Sequence, residues 1–372
     1  MGSARDLLNL TELIRVARGE RPADLVLKNA TILNVLSGEI HNGDIAIFDG
    51  KIAGLGKYHG KREMDLGGLH VAPGFIDGHV HVESSKVLVP EYARAVVPRG
   101  TTAVVMDPHE IANVLGLEGI RFMLASSKRV PLSVYVMLSS CVPATQMETS
   151  GHMLSSLDLA PILRHKRVLG IAELMNYPGV LAAEPEVLKK ILLGKKKRVD
   201  GHSPGLTGKD LCAYIGAGIR SDHECTAAGE AREKLRLGMR VMIREGSMAR
   251  NLEDLIPVIT AENSFRVFFA SDDRSPEDLR EEGHIDSMIR KAISMGVEPV
   301  TAIQMATINA ATYFGLDNLG AVAPGYQADL VVLEDLERVR VSKVFRAGRL
   351  VAQEGRLLRP CPAPRVPEGY SV

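Results

Sequence analysis

Six residues of this 372-residue chain have the types and places needed to hold metal ions. His79 and His81 close the apolar run Phe75-Ile-Asp-Gly-His-Val-His81. In a β-strand, residues i and i+2 face the same way, so both imidazoles can reach one cation. A lone His-x-His is more often a surface or hydrogen-bonded pair than a metal site. Its force comes from Glu173, His202, His223 and Asp272, which each end a later apolar run. Singly, each has an ordinary explanation: a satisfied core histidine, a helix-capping aspartate, a loop glutamate. Together, imidazole and carboxylate suit first-row divalent ions such as zinc, manganese or iron. The chemistry such a set offers is hydrolysis by an activated water.

These residues need a frame that brings them to one place. From about Thr102 to Asp272, short β-rich runs alternate with helix-length segments. Thr102–Met106 leads into Asp107-Pro-His-Glu110, and Leu132–Leu138 follows a helix-like stretch near 116–128. Val168–Ala172 ends at Glu173, Arg198-Val199 at Asp200-Gly-His202, and Gly218–Arg220 at Ser221-Asp-His223. Arg240–Ile243 leads into Arg244-Glu-Gly246, and Arg266–Ala270 into Ser271-Asp-Asp273. With Gly74–Asp77 in front, eight continuous apolar strands alternate with helices, the pattern of a parallel sheet buried on both faces. The fold class is therefore α/β, and the expected architecture a closed (β/α)₈ barrel of the TIM type, with a doubly wound sheet as the alternative. In such barrels the C-terminal strand ends carry the chemistry, and the candidate ligands fall there.

The two ends of the chain read differently. Asp24–Lys28, Thr31–Val35 and Gly43–Phe48 are short strands, and Asp49-Gly50 before Lys51-Ile52 is a hairpin turn. Ala328–Leu333, Val339–Phe345 and Arg349–Val351 resemble them. The two sets are expected to pair into one small β-sandwich. The expected division is 1–70 and 319–357 for that sandwich, 71–318 for the barrel, and a proline-rich tail over 358–372. Four prolines in the nine residues Arg359–Pro367 make that tail extended.

Composition narrows the partners. Lys plus Arg equals Asp plus Glu at 45 each, so no global field recruits nucleic acid or an anionic membrane. The run Lys195–Arg198 reads as a solvated loop. Without Trp, and with 4% aromatics, there is no stacking platform for single-stranded nucleic acid. No apolar stretch approaches the roughly 18–20 residues of a membrane span, and the N-terminus lacks an apolar signal core. Cys141, Cys212, Cys225 and Cys361 show no CxxC spacing, which fits a reduced, cytoplasmic setting.

The order His-x-His, Glu, His, His, Asp resembles the binuclear amidohydrolase superfamily. Within it, the segments Pro73–Ser85 and Asp107-Pro-His-Glu-Ile-Ala-Asn-Val114 are similar to signatures of the adenine deaminases. So are Ala172–Asn176, Asp200–Pro204, Ser221–Glu224, Arg244–Ser247 and Ser271–Asp273. The resemblance runs from about residue 20 to 357, and the Asp-Pro-His-Glu-Ile-Ala-Asn stretch is its most specific part. Members of that family usually carry a further domain after the β-sandwich, and the resemblance implies that it is lacking here.

The resemblance implies a reaction and roles. His79, His81 and Asp272 would bind one metal, His202 and His223 a second, and Glu173 would bridge them, with manganese or iron favoured and zinc possible. The implied reaction is hydrolytic deamination of adenine to hypoxanthine and ammonia, a purine-salvage step, in a homo-oligomer. Asp272, next to the attacking water, is the natural proton shuttle. Glu110 and His109 lead as donors to the purine ring, although Glu110 could equally favour a first helical turn through the dipole. Glu83, Arg244, Ser247 and Asp273 are expected to hold the base. Two rivals stay open: a hydrolase of another cyclic amide or N-acyl bond on the same barrel, and a barrel that has lost its chemistry.

Overall fold

The structure is a computed structural model that describes residues 4–145 and 147–364. The expected tail beyond residue 364 lies outside the described residues. The chain divides into two compact units. One holds the chain up to Ile76, Val96–Thr102 and Ile285–Pro360; the other holds Asp77–Ala95 and Ala103–His284.

The first unit is built on strands β1 (Leu25–Asn34), β2 (Glu39–Phe48), β3 (Lys51–Leu55), β4 (Glu63–Asp65) and β5 (His70–Pro73). Strands from the far end of the chain complete its sheet. Asp49 and Gly50 join β2 to β3 with φ of 46° and 76°. Two successive left-handed residues are what a tight hairpin turn matching strand twist requires.

The second unit carries the alternating strands and helices read from the sequence. They are β6 (Phe75–Val80), β7 (Thr101–Met106), β8 (Ser133–Ser139), β9 (Val168–Leu174) and β10 (Arg198–Gly201), a five-stranded sheet in sequence order. Three more, β11 (Ser221–Asp222), β12 (Arg240–Arg244) and β13 (Val267–Ala270), form a parallel three-stranded sheet. Strands β7 to β10 also pair in parallel. Helices such as His109–Ser126, Pro185–Gly194 and Ala228–Arg236 fill the connections. Every residue of β6, β7, β11 and β13 is buried, as a sheet covered on both faces demands. The architecture is thus mixed α/β. Strand β11 falls later than the apolar Gly218–Arg220 suggested, which places His223 directly after its last residue.

Backbone bonds tie strand ends together where the candidate ligands lie. Val80 and Asp272 form a parallel bridge. Asp272 N–H donates to the His79 carbonyl at 3.0 Å, and His81 N–H donates to the Asp272 carbonyl at 3.2 Å. Asp272 has φ of 55°, a left-handed conformation that aspartate tolerates better than most residues. Gly78 lets β6 come this close: a Cβ there would stand 2.5 Å from the Phe268 ring and 3.0 Å from the Phe269 carbonyl.

Strands β14 (Leu330–Leu333), β15 (Val341–Arg346), β16 (Arg349–Gln353) and β17 (Arg356–Leu357) finish the chain's regular structure. They join the first unit in one nine-stranded sheet, ordered β17-β16-β15-β14-β5-β1-β2-β3, with β4 beside β1. Antiparallel pairing of β14 with β5, Leu330 opposite Pro73, joins the two ends of the chain. Leu25, Leu27, Ile45, Ile47, Leu330 and Val332 share one apolar cluster, following the two-residue period of a strand. Val26 and Ala46, of opposite parity, pack with Val16 of the helix Ala4–Ala17. That helix is an addition to the sequence reading. Among the described residues no helix is long and apolar enough to cross a membrane.

Candidate metal centre

The six expected ligands converge, and Glu173 stands at their centre. Its Oε1 lies 2.9 Å from His81 Nε2 and 3.2 Å from His79 Nε2. Its Oε2 lies 2.5 Å from His202 Nδ1 and 3.2 Å from His223 Nε2. Asp272 Oδ1 completes the first group, 3.5 Å from His79 Nε2 and 3.4 Å from His81 Nε2. His79, His81, His223, Glu173 and Asp272 are all buried, while His202 is partly open.

The arrangement passes a test for divalent metal. His79 Nε2 and His81 Nε2 face each other at 3.0 Å. Two ligand atoms each about 2.1 Å from one ion stand roughly 3 Å apart, so the spacing suits a shared cation. The buried His223 Nε2 makes no hydrogen bond among the described residues, although it is aimed at Glu173. His81 Nδ1 meets the Asp107 carbonyl at 2.9 Å. A hydrogen bond from the far ring nitrogen to a carbonyl is how metal-ligating histidines are usually oriented.

The electrostatics point the same way. Burial alone would drive the His79 imidazole neutral, but the Glu173 charge and the Asp272 carboxylate outweigh it and push it up to about 10. Burial opposes ionisation of Glu173 too, yet the surrounding histidines hold it well below the usual carboxylate range. Asp272 is likewise lowered, against its burial, by bonds to His79 and His81. The histidines thus supply the positive charge that the two buried carboxylates need, and a divalent ion would take over that part with the imidazoles neutral.

Four buried aspartates hold the strand ends in register, and sequence reasoning passed over them. Asp77 accepts the Ser271 hydroxyl at 2.5 Å, the Ser271 N–H at 3.0 Å and the His79 N–H at 3.2 Å. Asp107 accepts the Ser139 hydroxyl at 2.6 Å, and Asp200 the Ser221 hydroxyl at 2.8 Å. Asp222 accepts both the Ser203 hydroxyl and its N–H at 2.8 Å. Apart from the His79 N–H bond, which stays within β6, these bonds link the ends of different strands, so the ligands between them inherit a fixed spacing. The available signal was an aspartate one or two residues before each of His79, His109, His202 and His223.

The expected acid, base and substrate residues divide. His109 Nδ1 is 3.5 Å from Asp107 Oδ2, and its Nε2 is 3.6 Å from Glu110 Oε1. Glu110 Oε1 also lies 3.5 Å from His81 Nδ1. Glu83 accepts the Ile111 N–H at 3.4 Å, and burial together with the nearby Glu110 charge pushes its carboxyl up to about 7. The buried Oε2 atoms of Glu83 and Glu110 have no hydrogen-bond partner among the described residues. Arg244 lies 3.4 Å from Asp272 Oδ2 and pairs closely with Glu224. Asp273 is exposed, accepts the Ser84 hydroxyl, and lies near His81 and Glu110.

Ser247 is not brought into this cluster. Its hydroxyl donates to Asp278 and accepts the Ser275 N–H at 2.7 Å, beside the start of the helix Pro276–Glu281. Glu224 was not singled out, yet its Oε1 lies 3.4 Å from His223 Nε2 and 3.7 Å from His202 Nδ1. Its place directly after a strand-end histidine was the signal.

A model of the amidohydrolase family matches residues 70–351. The chain is 53% identical over 349 residues to "Adenine deaminase 2" of Carboxydothermus hydrogenoformans, covering 94% of this chain and 61% of that protein. It is 52% identical over 361 residues to an adenine deaminase of Dehalococcoides mccartyi strain CBDB1, covering 97% and 63% respectively. The chain therefore spans less than two thirds of the length of these curated relatives. Among solved structures, a β-aspartyl dipeptidase from Fervidobacterium islandicum AW-1 superposes with a TM-score of 0.67 at 17% identity, over 90% of this chain and 98% of that one. An enamidase, described as a member of the amidohydrolase superfamily, gives a TM-score of 0.67 at 20% identity, over 92% and 98%. These two likenesses show a shared fold. With the family match covering most of its length, the chain belongs to the amidohydrolase family.

Proposed function

We propose that the chain hydrolyses adenine to hypoxanthine and ammonia at a binuclear divalent-metal centre bridged by Glu173. The observation that carries the reading is the division of the Glu173 carboxylate, Oε1 toward His79 and His81 and Oε2 toward His202 and His223. His79, His81 and Asp272 would hold one ion, and His202 and His223 the other. The similarity to adenine deaminases supplies the substrate.

We also read the eight strands β6 to β13 as one closed (β/α)₈ barrel. Two observations support closure. The Val80–Asp272 bridge links β6 to the end of β13. The Arg220 N–H donates to the Val199 carbonyl at 3.1 Å, linking β10 to the segment entering β11. The nine-stranded sheet is read as the small β-sandwich. In support, its β3 edge bridges at Lys51 to Gln327, just before β14.

When bound, a pair of divalent ions of the manganese, iron or zinc type supplies the charge that lets a water ionise near neutral pH. Water adds at C6 of adenine, and the amino group leaves as ammonia. Asp272 accepts the proton of the attacking water and delivers it to the departing nitrogen. Arg244, 3.4 Å from Asp272 Oδ2, holds that carboxylate in place. As electrons move onto the ring, a ring nitrogen must gain a proton, which hypoxanthine keeps. The proton left on the added oxygen is shed as the 6-oxo group forms and restores the donor. Glu83, whose carboxyl is pushed up to about 7, and His109 are placed to give the ring its proton; Glu110, held low against its burial by His81 and His109, would first have to take one up. Arg244 and Asp273 remain to meet the edge of the base.

Ammonia release from adenine, after loading the protein with manganese, iron or zinc in turn, tests the reading. Matching ammonia and hypoxanthine support it. Turnover confined to a panel of cyclic amides would give the site to another hydrolase. Less than one metal equivalent with no turnover would leave a barrel without chemistry.

A further inference from the structure

A lysine buried beneath the site has no part in the proposed chemistry. Lys234 lies in the last turn of the helix Ala228–Arg236 with its side chain 0% exposed. Its ammonium donates to the Ser203 carbonyl at 2.7 Å, to Asp222 Oδ2 at 3.0 Å and to Glu230 Oε1 at 2.7 Å. All three ammonium protons are thereby used. Asp222, Cys225 and Glu230 lie close enough together to resemble a metal-ligand group. The ammonium already stands at two of them, so the positive charge that these carboxylates require is built into the chain.

The partners of Lys234 are what give it reach. Ser203 directly follows His202, and Asp222 directly precedes His223. Asp222 Oδ1 accepts the Ser203 N–H and hydroxyl, and Asp222 Oδ2 accepts the Glu224 N–H at 2.9 Å. Lys234 and Asp222 together therefore clamp the backbone on the far side of both histidines. These histidines need such a clamp more than the other pair does. His223 Nδ1 has no hydrogen-bond partner among the described residues, so no bond from the ring orients it. The His202 side chain is 27% exposed, less confined than its partners.

We propose that Lys234 is a positioning residue that fixes His202 and His223 at the spacing required to hold one of the two metal ions. This rests on the reading of those histidines as ligands of one ion. Loss of such a support typically weakens metal binding about 10- to 100-fold.

The test is manganese titration of the metal-stripped full chain, counting sites and affinities, with thermal unfolding followed in parallel. His223→Ala serves as the reference and should lose one site. Lys234→Met should keep one site within about threefold of wild type and weaken the other about 10- to 100-fold. Removing the lysine leaves the Asp222 charge buried without its partner, which can unfold the protein. Lys234→Met combined with Asp222→Asn removes both charges and should show the same one-site defect in a folded chain. Two wild-type sites in either lysine variant, with one site lost in His223→Ala, would overturn the positioning role alone. Two wild-type sites in His223→Ala would overturn the ligand reading itself.

Discussion

Glu173 Oε1 lies 2.9 Å from His81 Nε2. The same carboxylate sends its other oxygen to His202 at 2.5 Å, so one side chain addresses ligands from strand ends far apart in sequence. A carboxylate is the only side-chain group here with two equivalent anionic oxygens, and each serves a different pair of imidazoles. The proposed reaction depends on that division.

Asp272→Asn should lower adenine turnover by about 10²- to 10⁴-fold, the usual worth of a positioned proton-transfer group. Adenine binding should stay within a few-fold, because the amide keeps the size of the carboxylate. Steady-state kinetics with a separate binding measurement gives both numbers. Near-normal turnover would remove Asp272 from the mechanism.

Glu110→Gln and Glu83→Gln separate the two candidate donors to the purine ring. The variant at the donor should lose kcat while metal content stays at the wild-type level. Unchanged kcat in both variants would show that neither carboxyl protonates the ring and would leave His109.

Free adenine should be turned over far better than adenosine, and cytosine should be poor. A site that pairs with a ring N–H leaves a buried group unpaired when ribose replaces that proton, and such losses reach about 10⁴-fold. A kcat/KM for adenosine equal to that for adenine would contradict a pocket built around the bare base.

Gly78→Ala should destabilise the chain by about 1–3 kcal/mol, the usual cost of an extra methyl in a packed core. Its Cβ would meet the Phe268 ring at 2.5 Å and push apart the strands that carry His79 and Asp272. Denaturant unfolding would measure the loss, and metal affinity should fall with it. Wild-type stability would mean that the close approach of β6 to β13 is not required.

The site was legible in the sequence where side-chain type and strand period coincide. His79 and His81 two apart, and Glu173, His202, His223 and Asp272 at the ends of apolar runs, needed only the parity of a strand to be placed. What escaped lies in residues whose task appears only when distant segments meet. The pairing of Asp222 with Lys234 carries no signal in the sequence and exists only once the helix Ala228–Arg236 meets the end of β11. Glu224 stood beside a recognised histidine and gained meaning from its distance to His202. Ser247 followed a strand end and looked available, but its neighbours Asp278 and Ser275 engage it. The two-residue β11 was misplaced because its register comes from backbone pairing with β12, not from apolar content. The helix Ala4–Ala17 was missed although it carries Leu7, Leu8, Leu10 and Ile14. All four are exposed in the structure, so its apolar residues do not all face the sheet that Val16 covers.

Manganese stoichiometry in Glu173→Gln tests the bridged centre most directly. Glutamine keeps the shape of the side chain but offers one carbonyl oxygen and no charge, so it cannot serve both pairs of histidines. The wild-type chain should bind two ions, and the variant one or none, by elemental analysis after equilibrium dialysis. Two ions bound to Glu173→Gln with wild-type affinity would contradict a centre bridged by Glu173.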